Sequence, residues 1–204
     1  MRKLCLSLST FALALAAAIA PAALAQNAPP PAKPAAGYDF KQRALVELKN
    51  LQQQLVSLAQ AMPAEKYTWR PGEGVRSVSE VYLHVAAGNF GLTALAGAPP
   101  QPGFKFQGYE KSTTDKAKVI EQLNQSFDYA RNAIANFSDA DLLKPLKFLD
   151  QQNVGDMIVH IVAHGHEHLG QSIAYARMNG VVPPWTAARQ QSQQGQQPPR
   201  PPQD

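Results

Sequence analysis

Apolar residues recur at spacings of three and four over long stretches of this chain, and few folds accommodate that pattern. Between about Phe40 and Met62, Leu45, Leu48, Leu51, Leu55 and Leu58 fall on one stripe of a helix, because each residue turns the chain by about 100°. Pro63 ends that helix, having no N–H to donate. A second helix begins near Val78, where Ser77 and Glu80 form an S-x-x-E capping box, and runs to about Ala96. A third spans about Thr114 to Asn136 with Val119, Leu123, Phe127, Ala130 and Ile134 inward. SDADLLKPL reads as a short helical turn stopped by Pro145. A fourth long helix covers about Asn153 to Asn179 and closes at Gly180, ahead of Pro183 and Pro184. With almost no strand signal and no internal repeat, the economical arrangement is an all-α four-helix bundle.

The two ends have a different character. Residues 1–25 carry a basic head at Arg2 and Lys3, an apolar run, and a small-x-small end at Ala23 and Ala25, which predicts a secretory signal peptide cleaved after Ala25. Residues 26–38 form a Pro/Ala-rich linker, 39–185 the folded domain, and 186–204 a Gln/Pro-rich tail predicted to be disordered. The expected location is therefore periplasmic or secreted, with no stable membrane insertion after cleavage.

Cleavage has chemical consequences. It removes Cys5, the single cysteine, so disulfides and thiolate metal sites are excluded from the mature chain. It also removes Arg2 and Lys3, lowering the formal charge from +4 by two, to +2. That excess, without a basic run, gives no reason to invoke nucleic acid as a partner.

Four of the five histidines lie in HIVAHGHEHLGQ, residues 160–171. His160, His164 and His168 share a helical stripe, whereas His166 points away from His164. Two histidines at i and i+4 can reach one metal ion beside a helix. The spacing alone leaves two pairs open, His160 with His164 and His164 with His168. A third imidazole must come from elsewhere, and the fifth histidine, His84, lies mid-way along the second helix among Val81, Val85 and Phe90. A lone histidine in such surroundings is more often a hydrogen-bonded core residue, and a histidine stripe is also compatible with a solvated surface.

The segments RSVSEVYLHVA and HGHEHLGQSIAYARMNGVVPP, with the lead-in KYTWRPGEGVRS, resemble the DinB-like (DinB/YfiT-type) family of four-helix-bundle metalloproteins over about residues 40–185. The resemblance implies a divalent metal, zinc or nickel first and manganese or iron as further options, held by His84, His164 and His168. His160 is then left to line the pocket and His166 to face solvent. It also implies that homodimers are common. Leu169 stands where the family often carries arginine, which puts any charge role of that position in doubt.

Other residues have candidate supporting roles. Glu80, four residues before His84, is a candidate to orient that imidazole, although its capping role competes; Gln171 is a candidate to orient another ligand. Gly170 costs about 1 kcal/mol against alanine inside a helix, which predicts the close approach of a neighbouring helix. Tyr82, Tyr129 and Tyr175 are candidate donors to a substrate or plain packing residues. Glu167, adjacent to a ligand but about 100° around the helix, is a poor general base. The loop from Gly97 to Glu110 carries Phe104, Phe106 and Tyr109, predicted to pack over the bundle end beside the site.

Three neutral imidazoles leave coordination positions open, as catalytic metal sites require. The family resemblance admits thiol-dependent transferases as well as hydrolases. Export into an oxidising compartment disfavours thiol cosubstrates, so the reading is a metal-dependent hydrolase of a small molecule. The alternative is a non-catalytic metal-binding or interaction protein, which His160 as a fourth ligand would favour.

Overall fold

The structure, a computed structural model, describes residues 39–194; the expected signal peptide, the spacer and residues 195–204 of the tail lie outside them. Four long helices dominate: α1 (Phe40–Ala61), α2 (Val78–Leu95), α3 (Lys116–Asn136) and α5 (Val154–Met178). Between α3 and α5 come the single turn α4 (Asp139–Leu142) and two short strands, β1 (Pro145–Phe148) and β2 (Gln151–Asn153), and α6 (Pro184–Gln194) follows α5. Each long helix packs on two others, α1 on α3 and α5, α2 on α3 and α5. Among the described residues no helix is long and apolar enough to cross a membrane.

The caps explain where these helices begin. Asp39, Ser77, Asp115 and Asn153 each accept a hydrogen bond from a backbone N–H in the first turn of the helix they precede. Ser77 and Glu80 complete the reciprocal capping box, with Glu80 Oε2 2.7 Å from the Ser77 amide. Lysines close helix ends: Lys116 at the start of α3 donates to the carbonyls of Gln60 and Met62 at the end of α1, and Lys41 donates to Phe137 at the end of α3. Cations on C-terminal carbonyls satisfy unpaired acceptors and oppose the helix dipole, and this reciprocal pair fixes α1 and α3 as antiparallel.

The inward stripes form the core. Leu48, Leu51, Leu55 and Leu58 of α1 and Val119, Leu123, Phe127, Ala130 and Ile134 of α3 are fully buried, with Leu45 partly so. Each large side chain among them contributes about 1.5–3 kcal/mol by leaving water. α2 is buried on nearly all sides, which suits its run of apolar residues, and His84 is one of its few partly exposed positions.

Three expectations are corrected. The near-absence of strands gives way to the antiparallel β1–β2 hairpin, where Leu146 and Phe148 alternate inward over only four residues, too short a run to signal a strand. Its tip holds Leu149 at φ 53°, a left-handed conformation that is uncommon for such a side chain. The predicted disordered tail does not begin at 186: α6 continues to Gln194, because Pro183 and Pro184 start a helix well and Trp185 packs on the core.

Gly170 is the third. It is exposed with nothing near its missing Cβ, and nothing in the structure explains it. The close approach occurs at Gly165, where a Cβ would stand 2.9 Å from Leu51 Cδ1 of α1. Gly170→Ala is therefore expected to raise stability by up to about 1 kcal/mol in urea denaturation; a loss of stability would reveal an unseen contact.

Candidate metal centre

α2 and α5 run antiparallel, since Tyr175 near the end of α5 bonds Arg76 just before α2. That pairing brings the middle of one helix against the middle of the other. His84, His164 and His168 meet there, with one potential ligand nitrogen from each lying within 4.8 Å of the others. His84 Nε2 and His164 Nε2 are 3.1 Å apart. Two imidazole nitrogens on one zinc ion stand about 3.3 Å apart, given Zn–N bonds of about 2.0–2.1 Å. Of the two pairs left open by the spacing, it is therefore His164 with His168 that faces His84. His160 stays out of the cluster: its ring is 6.5 Å from that of His164 and 6.2 Å from Phe148, beside a separate cleft with Asp150 and Asp156. His166 is exposed near Glu47.

Gly88, one turn beyond His84, makes the meeting possible. A Cβ there would lie 2.5 Å from Cε1 and 2.9 Å from Nδ1 of His164, so only glycine leaves the ring its place. His164 Nδ1 is buried without a hydrogen-bond partner, which leaves the ring held by packing and by its neighbours.

The other two imidazoles are fixed by hydrogen bonds whose direction can be deduced. The Arg76 carbonyl can only accept, so the Tyr175 hydroxyl donates to it at 3.0 Å. The Tyr175 oxygen then accepts from Gln171 Nε2, also at 3.0 Å, which turns Gln171 Oε1 toward His168 Nδ1 at 2.8 Å. His168 must carry its proton on Nδ1, and its Nε2 presents a lone pair. On the other side, Glu110 Oε1 accepts from His84 Nδ1 at 2.5 Å, and the Arg76 guanidinium holds Glu110 by its Nε at 2.7 Å. His84 thereby turns its Nε2 toward His164. Arg76 closes the ring of contacts, its side chain on Glu110 and its carbonyl on Tyr175, which in turn holds Gln171.

Charge follows the same logic. Burial, then the neighbouring His168, His84, His160 and Arg76, push the His164 pKa down to about 3, and burial also lowers that of His168. Both imidazoles are neutral near pH 7, the form a metal needs. Burial raises the Glu110 carboxyl, but hydrogen bonds from Arg76 and His84 and their charges outweigh it, and Glu110 is held below the usual carboxylate range. The donor set of three imidazole nitrogens with carboxylate and amide partners behind two of the rings fits a divalent metal such as zinc.

Glu80 does not orient His84. Its carboxylate is occupied by the Ser77 amide and by Arg70 at 3.3 Å, and Glu110 takes that place from a loop 26 residues further on. The loop from Gly97 to Glu110 does lie beside the site. Phe104 and Tyr109 pack against Phe90 of α2, tilted and edge-on respectively, with ring centroids 5.2 and 6.1 Å away, while Phe106 leans on Gly91 and is 60% exposed. Tyr109 thus seats the residue next to it, Glu110. Tyr82 is buried, Tyr129 donates to Pro99, and Tyr175 belongs to the hydrogen-bond chain. Leu169 is buried in the core and Glu167 is exposed. Sequence reasoning missed Glu110, Arg76 and Gly88; a glycine inside α2, four residues after His84, was the one readable signal. Glu110→Gln is expected to weaken metal binding about 10- to 100-fold in chelator competition, and unchanged affinity would contradict its orienting role.

Three inward histidines on two antiparallel helices of a helical bundle make a group that could hold a metal ion. The family model for the DinB superfamily matches residues 47–172, and the chain belongs to that superfamily. A solved structure of a DinB-like protein from Bacillus cereus ATCC 10987 is similar, with a TM-score of 0.59 at 16% identity over 71% of this chain and 93% of that one. At that identity the likeness shows the fold. No curated protein matches this sequence.

Proposed function

We propose that this is an exported metalloprotein in which His84, His164 and His168 hold a divalent metal, zinc or nickel, and that it hydrolyses a small molecule. The convergence of three ligand nitrogens from two helices within 4.8 Å supports the reading. A divalent ion held there supplies Lewis acidity and a nucleophilic water near neutral pH. Glu110 and Gln171 hold the outer nitrogens of His84 and His168, so both rings turn Nε2 inward. Glu110 is committed on both oxygens, to His84 and to Arg76, and serves as a positioning residue. The cluster draws three protein ligands, with His160 turned to another cleft, which favours open coordination positions over a closed structural site.

The test is elemental mass spectrometry on the untagged protein, followed by a hydrolysis screen against small esters, amides and phosphoesters. Near-stoichiometric metal, with an activity that a chelator removes and the metal restores, supports the proposal. Absence of metal after incubation with zinc, nickel and manganese overturns it, whereas bound metal without turnover moves the protein to a binding role. Export is checked separately, by an N-terminus beginning at Gln26 in protein recovered outside the cytoplasm.

A further inference from the structure

A cleft of about 540 Å³ opens beside the metal centre, and Arg70, Arg76 and Lys111 line it together with Gly74, Glu110 and Gln171. Its size suits a small molecule. Two of its walls, Glu110 and Gln171, are the side chains bonded to the outer nitrogens of His84 and His168, so the cleft ends one imidazole away from the metal position. We propose that this cleft is an anion site, seating the carboxylate or phosphate of the small molecule on which the centre acts. That the anion belongs to a molecule turned over at the centre rests on the metal-centre reading, but the anion site itself stands on the cleft alone.

The charge balance carries the argument. The carboxylates at the cleft, Glu80 and Glu110, are already engaged: Glu80 is paired with Arg70 and accepts from the Ser77 amide, and Glu110 is paired with Arg76 and accepts from His84. The Lys111 ammonium, unlike its backbone N–H, has no ion-pair or hydrogen-bond partner among the described residues. Arg76 spends Nε and Nη2 on Glu110 and leaves Nη1 without a protein acceptor there. Gly74, at φ 75°, has open space where a side chain would stand, so a ligand can come close to the backbone of the loop before α2. An ammonium beside a guanidinium edge in a polar cleft is a recognition element for an anion, and a divalent ion close by adds to the same field.

Isothermal titration of the zinc-loaded protein with inorganic phosphate, and separately with succinate, tests this at low ionic strength. The variants are Lys111→Gln and the double variant Arg70→Gln with Lys111→Gln, neither of which touches a histidine or its hydrogen-bond partners. The expected result is saturable binding of at least one anion, weakened about tenfold or more in the double variant, with zinc content unchanged. The stronger of the two ligands tells carboxylate from phosphate. Absence of binding by either anion overturns the proposal. So does binding that requires zinc but is indifferent to both substitutions, because the ion alone then holds the anion. If the protein binds no zinc, the same titration on the metal-free chain still decides: an anion lost with Lys111 and Arg70 keeps the site while the metal reading falls.

Discussion

Gly88→Ala is expected to strip the metal as completely as His164→Ala does, and to do so without melting the helices. Alanine is the better helix former by about 1 kcal/mol, so on propensity alone the substitution should stabilise α2. The added methyl would stand 2.5 Å from His164 Cε1, however, well inside van der Waals contact. The His164 ring cannot yield in place, because the rings of His84 and His168 lie 4.9 and 4.6 Å from it, centroid to centroid. It must rotate out of the cluster and take its ligand nitrogen along. Metal affinity should then fall by more than the roughly 100-fold that marks the loss of an outer contact. Chelator competition measures that loss, and circular dichroism shows whether the helices remain. A Gly88→Ala protein that binds metal with native affinity would mean that His164 is not a ligand in the arrangement seen here.

That dependence of a ligand on a glycine shows which parts of the protein were legible in the sequence. The helices were, because a stripe such as Leu48–Leu51–Leu55–Leu58 has only one period that buries it, and caps such as Ser77–Glu80 mark where it begins. The histidine cluster was half legible. Spacing on α5 offered two equivalent pairs, and only the packing of α2 against α5, which sets His84 opposite His164, distinguishes them. Family resemblance supplied the same set, since it encodes that packing. What holds the ligands was not legible. Glu110 reaches His84 from a loop whose path depends on Phe104 and Tyr109 finding Phe90, a tertiary event with no local period. Glu80 looked better by helix spacing and was already engaged by its own cap. The β1–β2 hairpin and α6 escaped for a related reason: each is short, and each is stabilised by a few contacts to the bundle through Leu146, Phe148 and Trp185.

The metal-free protein should lose stability steeply as the pH falls from about 6.5 toward 4, and His164 is the main cause. Unfolded, its imidazole takes up a proton near pH 6.5. Folded, it stays neutral down to about pH 3, because burial and then the positive charge of His168, His84, His160 and Arg76 oppose protonation. Between those values the unfolded chain binds one more proton than the native protein, so each pH unit of acidification removes about 1.4 kcal/mol. Above about pH 6.5 both states are neutral and the term vanishes. His168, shifted in the same direction, adds to the slope, and Glu110, whose carboxyl is held low, adds its own loss below about pH 4.5. Over two pH units the His164 contribution alone is about 2 to 3 kcal/mol, a large fraction of what a domain of this size has to lose. Urea denaturation of chelator-treated protein at pH 7, 6, 5 and 4.5 measures the slope. His164→Gln, which keeps a polar side chain but cannot titrate, should flatten it by about one proton. A flat profile in the native sequence, or an equal slope in the variant, would show that the His164 ring is solvated and that the cluster is looser than its hydrogen bonds indicate. Metal turns the same competition around: an ion must displace protons from the imidazoles it binds, so affinity should fall most steeply with acidification where the rings of the free protein begin to protonate. The burial that costs the metal-free protein stability in acid is therefore what keeps His164 available to metal there.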